Sequence, residues 1–165
     1  MSTVVVTALY NGAPWIEETL NAVHRQTRPP QEHWVLDDGS TDESARRVEA
    51  HGRSKLLRNP HKGPNAARAH AIRETQSRYI AILDQDDVWH PQHLELLENA
   101  LDQNPDIPAA FAGVQKFSTG ESIAYRIETD SPQKFNPWES FPMNTIAAPA
   151  QVLIRRDVLM AAGGW

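Results

Sequence analysis

Two hydrophobic periods alternate along the first hundred residues. Short unbroken apolar runs at 3–9, 33–36, 55–57 and 79–83 are separated by longer stretches whose apolar side chains recur every three or four positions. A run of that length, rich in β-branched residues and bounded by turn formers, predicts a strand covered on both faces. Between the first two runs, Ile16, Leu20 and Val23 fall at i, i+4 and i+7, one stripe of an amphipathic helix that ends near Gln26-Thr27, before Pro29-Pro30. Ser40-Thr41-Asp42-Glu43 has the form of a capping box, with serine as N-cap and glutamate three residues on, and predicts a helix running to about Ala50. The alanine-rich stretch 65–75 predicts a third helix. Pro91, in first helical position, opens a fourth over 93–101, which Asn104-Pro105 stops.

After Pro108 the texture changes. Residues 109–117 and 122–127 read as two antiparallel strands around Thr119-Gly120, followed by a loop rich in proline and aromatics at 131–149, a strand at 151–155 and a short helix at 157–162. Strand–helix alternation with short connections predicts an α/β domain: a mostly parallel, Rossmann-like sheet with helices on both faces, and a small antiparallel addition in the C-terminal third. The chain's 165 residues suffice for one domain with a real core. Residues 1–105 form its first half and 106–165 the start of a second.

In parallel sheets of this kind ligands bind beyond the carboxyl ends of the strands. Here those ends carry Tyr10-Asn11, Asp37-Asp38 and Asp84-Gln85-Asp86-Asp87. Three carboxylates in four residues repel one another unless a cation binds them, and a hard divalent ion with oxygen ligands suits them. A solvated acidic turn is the plainer alternative. In Asp37-Asp38-Gly39-Ser40 the glycine permits a tight turn and the aspartates can be turn formers. They can equally accept hydrogen bonds from a nucleobase N–H or ribose hydroxyls while a metal-bound carboxylate handles phosphates. Tyr10 offers either a stacking face or a half-buried packing contact. Lys62-Gly63, just before the third helix, offers an anion site or a solvated loop. Trp89 and Pro91 are expected to wall the site from beneath. All of this requires the tips of the second and fourth strands to lie side by side.

Composition narrows the partners. A net charge of −5 gives no basic footprint for nucleic acid. No apolar run approaches the 18 or so residues of a membrane span, and the absence of cysteine excludes disulfides and thiolate metal sites. Met1-Ser2-Thr3 leads straight into a strand-like run, so no signal peptide is expected. A cytoplasmic protein follows, with contact at the inner face of a membrane left open. A phospho-receiver domain would carry its acidic pair after the first strand, and a dinucleotide-dependent oxidoreductase needs a glycine-rich turn there. Leu9-Tyr10-Asn11-Gly12-Ala13-Pro14 supplies neither.

Several stretches, in order, resemble family 2 glycosyltransferases: 4–12, 20–27, Val35-Leu36-Asp37-Asp38-Gly39-Ser40-Thr41-Asp42, Asn65-Ala66-Ala67-Arg68, 79–91, and 152–159 with Gly163-Gly164-Trp165. The resemblance covers nearly the whole chain. It implies a nucleotide-sugar-binding (GT-A) fold, with 1–105 the nucleotide-binding half and 106–165 the start of the acceptor half. It also implies inverting transfer from a nucleoside-diphosphate sugar, taken as a UDP-sugar, to a saccharide or lipid-linked acceptor, with Mg²⁺ or Mn²⁺. By position it places Asp38 on the uracil, with Tyr10 bordering the base and Asp37 and Lys62 in the nucleotide-binding set. Asp84 lies toward the ribose, Asp86 binds the metal that bridges the diphosphate, and Asp87 and Asp84 support that site. The general base of the family follows the glycine pair and is expected beyond Trp165, so no catalytic residue is named. The expectation is therefore a fragment or truncated relative that binds donor and metal and transfers sugar poorly or not at all. The alternative is a non-catalytic nucleotide-binding remnant.

Overall fold

Every residue of the first strand, β1 (Thr3–Leu9), is buried, as a strand covered on both faces must be. The computed structural model describes residues 3–59, 61–113 and 149–165. In chain order the elements are β1, α1 (Ile16–His24), β2 (Glu32–Asp37), α2 (Ser44–His51), β3 (Lys55–Arg58), α3 (Pro64–Glu74), β4 (Tyr79–Ile82), α4 (His93–Gln103), β5 (Ala109–Phe111), β6 (Val152–Arg155) and α5 (Arg156–Ala161). The described strands form one sheet in the order β3-β2-β1-β4-β6-β5. β3, β2, β1 and β4 run parallel to one another, and β6 is antiparallel to both β4 and β5.

The two-residue period of each strand divides the core. Val5, Leu9, Val35, Tyr79, Ala81 and Leu83 meet Ile16, Leu20 and Val23 of α1, Val48 of α2 and Leu94, Leu97 and Leu101 of α4. On the other face Val4, Val6, Trp34, Leu36, Ile80 and Ile82 meet Ala67, Ala71 and Ile72 of α3, with Leu159 of α5 beside them. The expected α/β fold, mostly parallel with an antiparallel addition, is the observed one. Among the described residues no helix is long and apolar enough to cross a membrane.

Three local expectations change. The strands β2 and β4 are not neighbours, because β1 lies between them. The capping box does not form: α2 starts at Ser44, and Ser40 Oγ instead accepts the Asn11 N–H at 3.0 Å. Glu43 is the N-cap, without a side-chain bond, and the Asp42 carboxylate before it accepts the Ser44 N–H at 2.9 Å and the Ser44 hydroxyl. Pro91 precedes the helix, with Gln92 as N-cap of α4. The described part of β5 pairs with β6; the strand predicted at 122–127 and the loop at 131–148 lie outside the described residues. Buried Arg155 closes this end of the sheet, its guanidinium donating to the carbonyls of Leu101 (2.6 Å), Asn104 (3.2 Å) and Ile107 (2.8 Å) at the C-terminus of α4.

Candidate functional site

The order β2-β1-β4 makes the gap between β1 and β4 the point where successive connections leave in opposite directions, which is where open α/β sheets bind ligands. Three chain segments emerge there. Because β1 intervenes, the tips of β2 and β4 stand two strand spacings apart, about 10 Å.

The segment after β1 turns at Asn11, whose φ of 48° is left-handed, a conformation asparagine tolerates better than most residues. Asn11 Oδ1 accepts the Thr41 N–H at 2.9 Å, and Asp42 Oδ2 accepts the Ala13 N–H at 3.1 Å, so the β1–α1 and β2–α2 loops brace each other. Tyr10 is left 45% exposed at the rim.

Asp37 and Asp38, after β2, are both buried to 3% exposure. Asp37 Oδ1 accepts the Ser40 N–H at 2.9 Å, across the turn that Gly39 makes at φ 89°. Asp38 holds the β3–α3 loop: its two carboxylate oxygens accept the Lys62 and Gly63 N–H groups, each at 2.8 Å. The backbone donors expected to form an anion site at Lys62-Gly63 are therefore engaged by Asp38. His61, on the same loop, places Nδ1 2.8 Å from the Asp38 carbonyl and its ring 4.7 Å from the Tyr10 ring, tilted by 40°.

Asp84-Gln85-Asp86-Asp87 is a turn closed by the Asp87 N–H on the Asp84 carbonyl at 3.2 Å. The buried hydroxyl of Thr19 in α1 secures it, its single proton shared between the carbonyls of Gln85 (2.7 Å) and Asp87 (3.0 Å). The three carboxylates differ. Asp84 is ion-paired with Arg68 of α3. Asp87 is half-buried, and its carboxyl is held above the usual range by burial and then by the charges of Asp84 and Asp86. Asp86 is exposed. Among the described residues no three His, Cys, Asp or Glu side chains converge into a closed cation cage. The turn suits an open site instead: a hard ion would take one or two carboxylate oxygens here, the rest coming from phosphate and water.

Arg68 is the group the sequence reading passed over. Its signal was present, since an arginine within the apolar stripe Ala67, Ala71, Ile72 requires an acidic partner. Asn65 Oδ1 accepts from both Arg68 (3.3 Å) and Trp165 Nε1 (3.2 Å), which brings the C-terminal Gly-Gly-Trp beside the acidic turn. Trp89 lies buried against α4, its ring stacked on His93 at 4.4 Å and its Nε1 donating to the Ala150 carbonyl. Pro91 receives the Thr27 N–H at 2.7 Å.

Residues 4–162 match the family described as Glycosyl transferase family 2. Over 95 residues, 56% of the chain, the sequence is 35% identical to the UDP-Glc:alpha-D-GlcNAc-diphosphoundecaprenol beta-1,3-glucosyltransferase WfgD of Escherichia coli. The fold matches that of S. aureus TarS 1-349 in complex with UDP, with a TM-score of 0.77 at 21% identity, over 99% of this chain and 49% of that one. It also matches the mannosyltransferase PcManGT from Pyrobaculum calidifontis in complex with GDP-Man and Mn²⁺, with a TM-score of 0.72 at 21% identity, over 99% of this chain and 47% of that one. The chain spans only part of the length of its curated relatives: 38% of WfgD, and from 15% to 55% among the others.

Proposed function

The chain belongs to glycosyl transferase family 2, and we propose that it binds a UDP-sugar with Mg²⁺ or Mn²⁺ across the tips of β2, β1 and β4. The whole protein would then transfer the sugar, with inversion, to a saccharide or lipid-linked acceptor. One observation carries the reading: an aromatic pair, a buried carboxylate and a partly exposed acidic turn share one rim at the switch point of the sheet.

Tyr10 and His61 offer the base a stacking surface. Asp38 keeps one lone pair on each oxygen after receiving Lys62 and Gly63, enough to accept a ring N–H at the inner end. Asp37 shapes that end through Ser40, and Lys62, whose side chain is exposed, is tied to it by its backbone N–H on Asp38. Asp84, fixed by Arg68, faces the ribose. Asp86 and Asp87 would hold the ion, Asp86 as the exposed ligand; when bound, such an ion neutralises charge on a departing diphosphate. Residues 1–105 thus form the donor half and 106–165 begin the acceptor half. The UDP of the TarS complex, the UDP-Glc and diphosphoundecaprenol in the name of WfgD, and the Mn²⁺ of the PcManGT complex support donor, acceptor class and metal respectively.

Calorimetric titration of UDP, with and without Mn²⁺, tests the reading. The expected result is saturable binding strengthened at least about tenfold by Mn²⁺, about 1.4 kcal/mol, and a gain of less than about twofold in Asp86→Ala. Absence of UDP binding, or binding indifferent to both metal and Asp86, would overturn it.

A further inference from the structure

The base end and the acidic turn of this site belong to segments 75 residues apart in sequence, yet one side chain joins them. Gln85 accepts the Tyr10 N–H through Oε1 at 2.8 Å and donates from Nε2 to the Tyr10 carbonyl at 3.2 Å. The amide thus pairs with the residue after β1 as a neighbouring strand would, continuing the β1–β4 ladder past its last backbone bond, Leu83 N–H to Val6 carbonyl at 3.1 Å. Tyr10 and the acidic turn therefore have a fixed spacing. The neighbouring glycine makes room for it. Gly12 is absent from the residues with positive φ, so its backbone conformation does not demand glycine. A Cβ there would lie 2.5 Å from Gln85 Oε1 and 2.6 Å from its Cδ, closer than real contacts allow. The Gln85 tip would have to leave.

We propose that Gln85, in the space Gly12 leaves open, is a positioning residue that sets the distance between the nucleobase face at Tyr10 and the diphosphate end at Asp86. This rests on the donor reading above. Gln85 itself touches no reacting atom; it acts through the Tyr10 backbone on one side and its own turn on the other. A ligand that spans both ends, such as UDP, depends on that spacing. Uridine, which engages the base end alone, does not.

Gln85→Ala, Gly12→Ala and the double variant test this by titration with UDP plus Mn²⁺ and with uridine. Each single variant should lower UDP affinity about tenfold and change uridine affinity less than twofold, so that the UDP-to-uridine ratio collapses. The double variant should be no worse than Gln85→Ala, because both changes remove one bridge. Amide exchange at Tyr10 should accelerate in Gln85→Ala while that of Asp38, bonded to the Leu9 carbonyl at 2.8 Å, stays unchanged. An unaltered ratio, additive losses, or exchange at Tyr10 that does not respond would overturn the coupling while leaving donor binding standing. Wild-type protein that binds no UDP would overturn the donor reading and the coupling with it.

Discussion

Tyr10 and Asp38 sit on the same rim and contribute in opposite ways. Tyr10 is 45% exposed. Tyr10→Ala should therefore leave the melting temperature within a degree or two and weaken UDP binding by roughly 1–3 kcal/mol, the usual worth of one base–aromatic stack. Calorimetry beside thermal melting separates the two effects. Asp38 is buried and holds the Lys62 and Gly63 N–H groups. Asp38→Ala orphans both donors and should cost about 2–5 kcal/mol of stability, read in a urea titration, together with loss of nucleotide binding. A variant that melts like wild type would remove Asp38 from its role in the loop. The sequence advertised these two residues because each stands at a strand end. It did not advertise that the oxygens of Asp38 already serve a loop 24 residues on, since no local pattern encodes such a bond.

At the level of elements, strands and helices were legible because burial on both faces and the 3.6-residue stripe leave periods in the sequence. Where a boundary shifted, a competing hydrogen bond decided it. Ser40 suited the N-terminus of α2, but its hydroxyl accepts the Asn11 N–H from the β1–α1 loop, and the helix starts four residues on, at Ser44. The order β2-β1-β4 was not legible, because alternation specifies neighbours in sequence rather than in the sheet. Nor were the bonds that lock the acidic turn. Thr19 of α1 lies 66 residues from the carbonyl it bonds. Thr19→Val keeps the shape and removes the shared donor, so two partly buried carbonyls lose a partner. The expected cost is about 1–3 kcal/mol, with faster amide exchange at Asp87. Unchanged stability and exchange would show that the turn holds itself.

For the molecule as a whole, acid sensitivity follows from a histidine cluster away from the donor rim. His33 of β2 is buried between Thr7 Oγ1 (3.1 Å) and Ser54 Oγ (2.9 Å). His24, which also meets Ser54 Oγ, has its ring 5.1 Å from that of His51. Burial, then the neighbouring His24 and His51, lowers His33 to about 3; burial, then Arg53 and His51, lowers His24 to about 4. His93, buried against Trp89, is lowered to about 4, mainly by burial. Folded values below the unfolded 6.5 mean that the unfolded chain binds protons first. Stability is then complete above about pH 6.5 and falls as pH drops toward 4. One fully buried neutral histidine contributes a slope of about 1.4 kcal/mol per pH unit. Asp87, raised, pulls the other way in the carboxylate range, so scanning calorimetry between about pH 5 and 7.5 isolates the histidines. A melting temperature that holds or rises on acidification across that window would contradict the cluster's buried, neutral state.

In the proposed complex one nucleotide spans Tyr10 and Asp86, with a cation at the acidic end. Crystals grown with UDP and Mn²⁺, measured for the anomalous signal of manganese, test it most directly. The expected result is a manganese peak in contact with both the Asp86 carboxylate and the diphosphate, and a uracil ring against Tyr10. Manganese bound away from Asp86, or a nucleotide lying anywhere but across the ends of β1, β2 and β4, would contradict it.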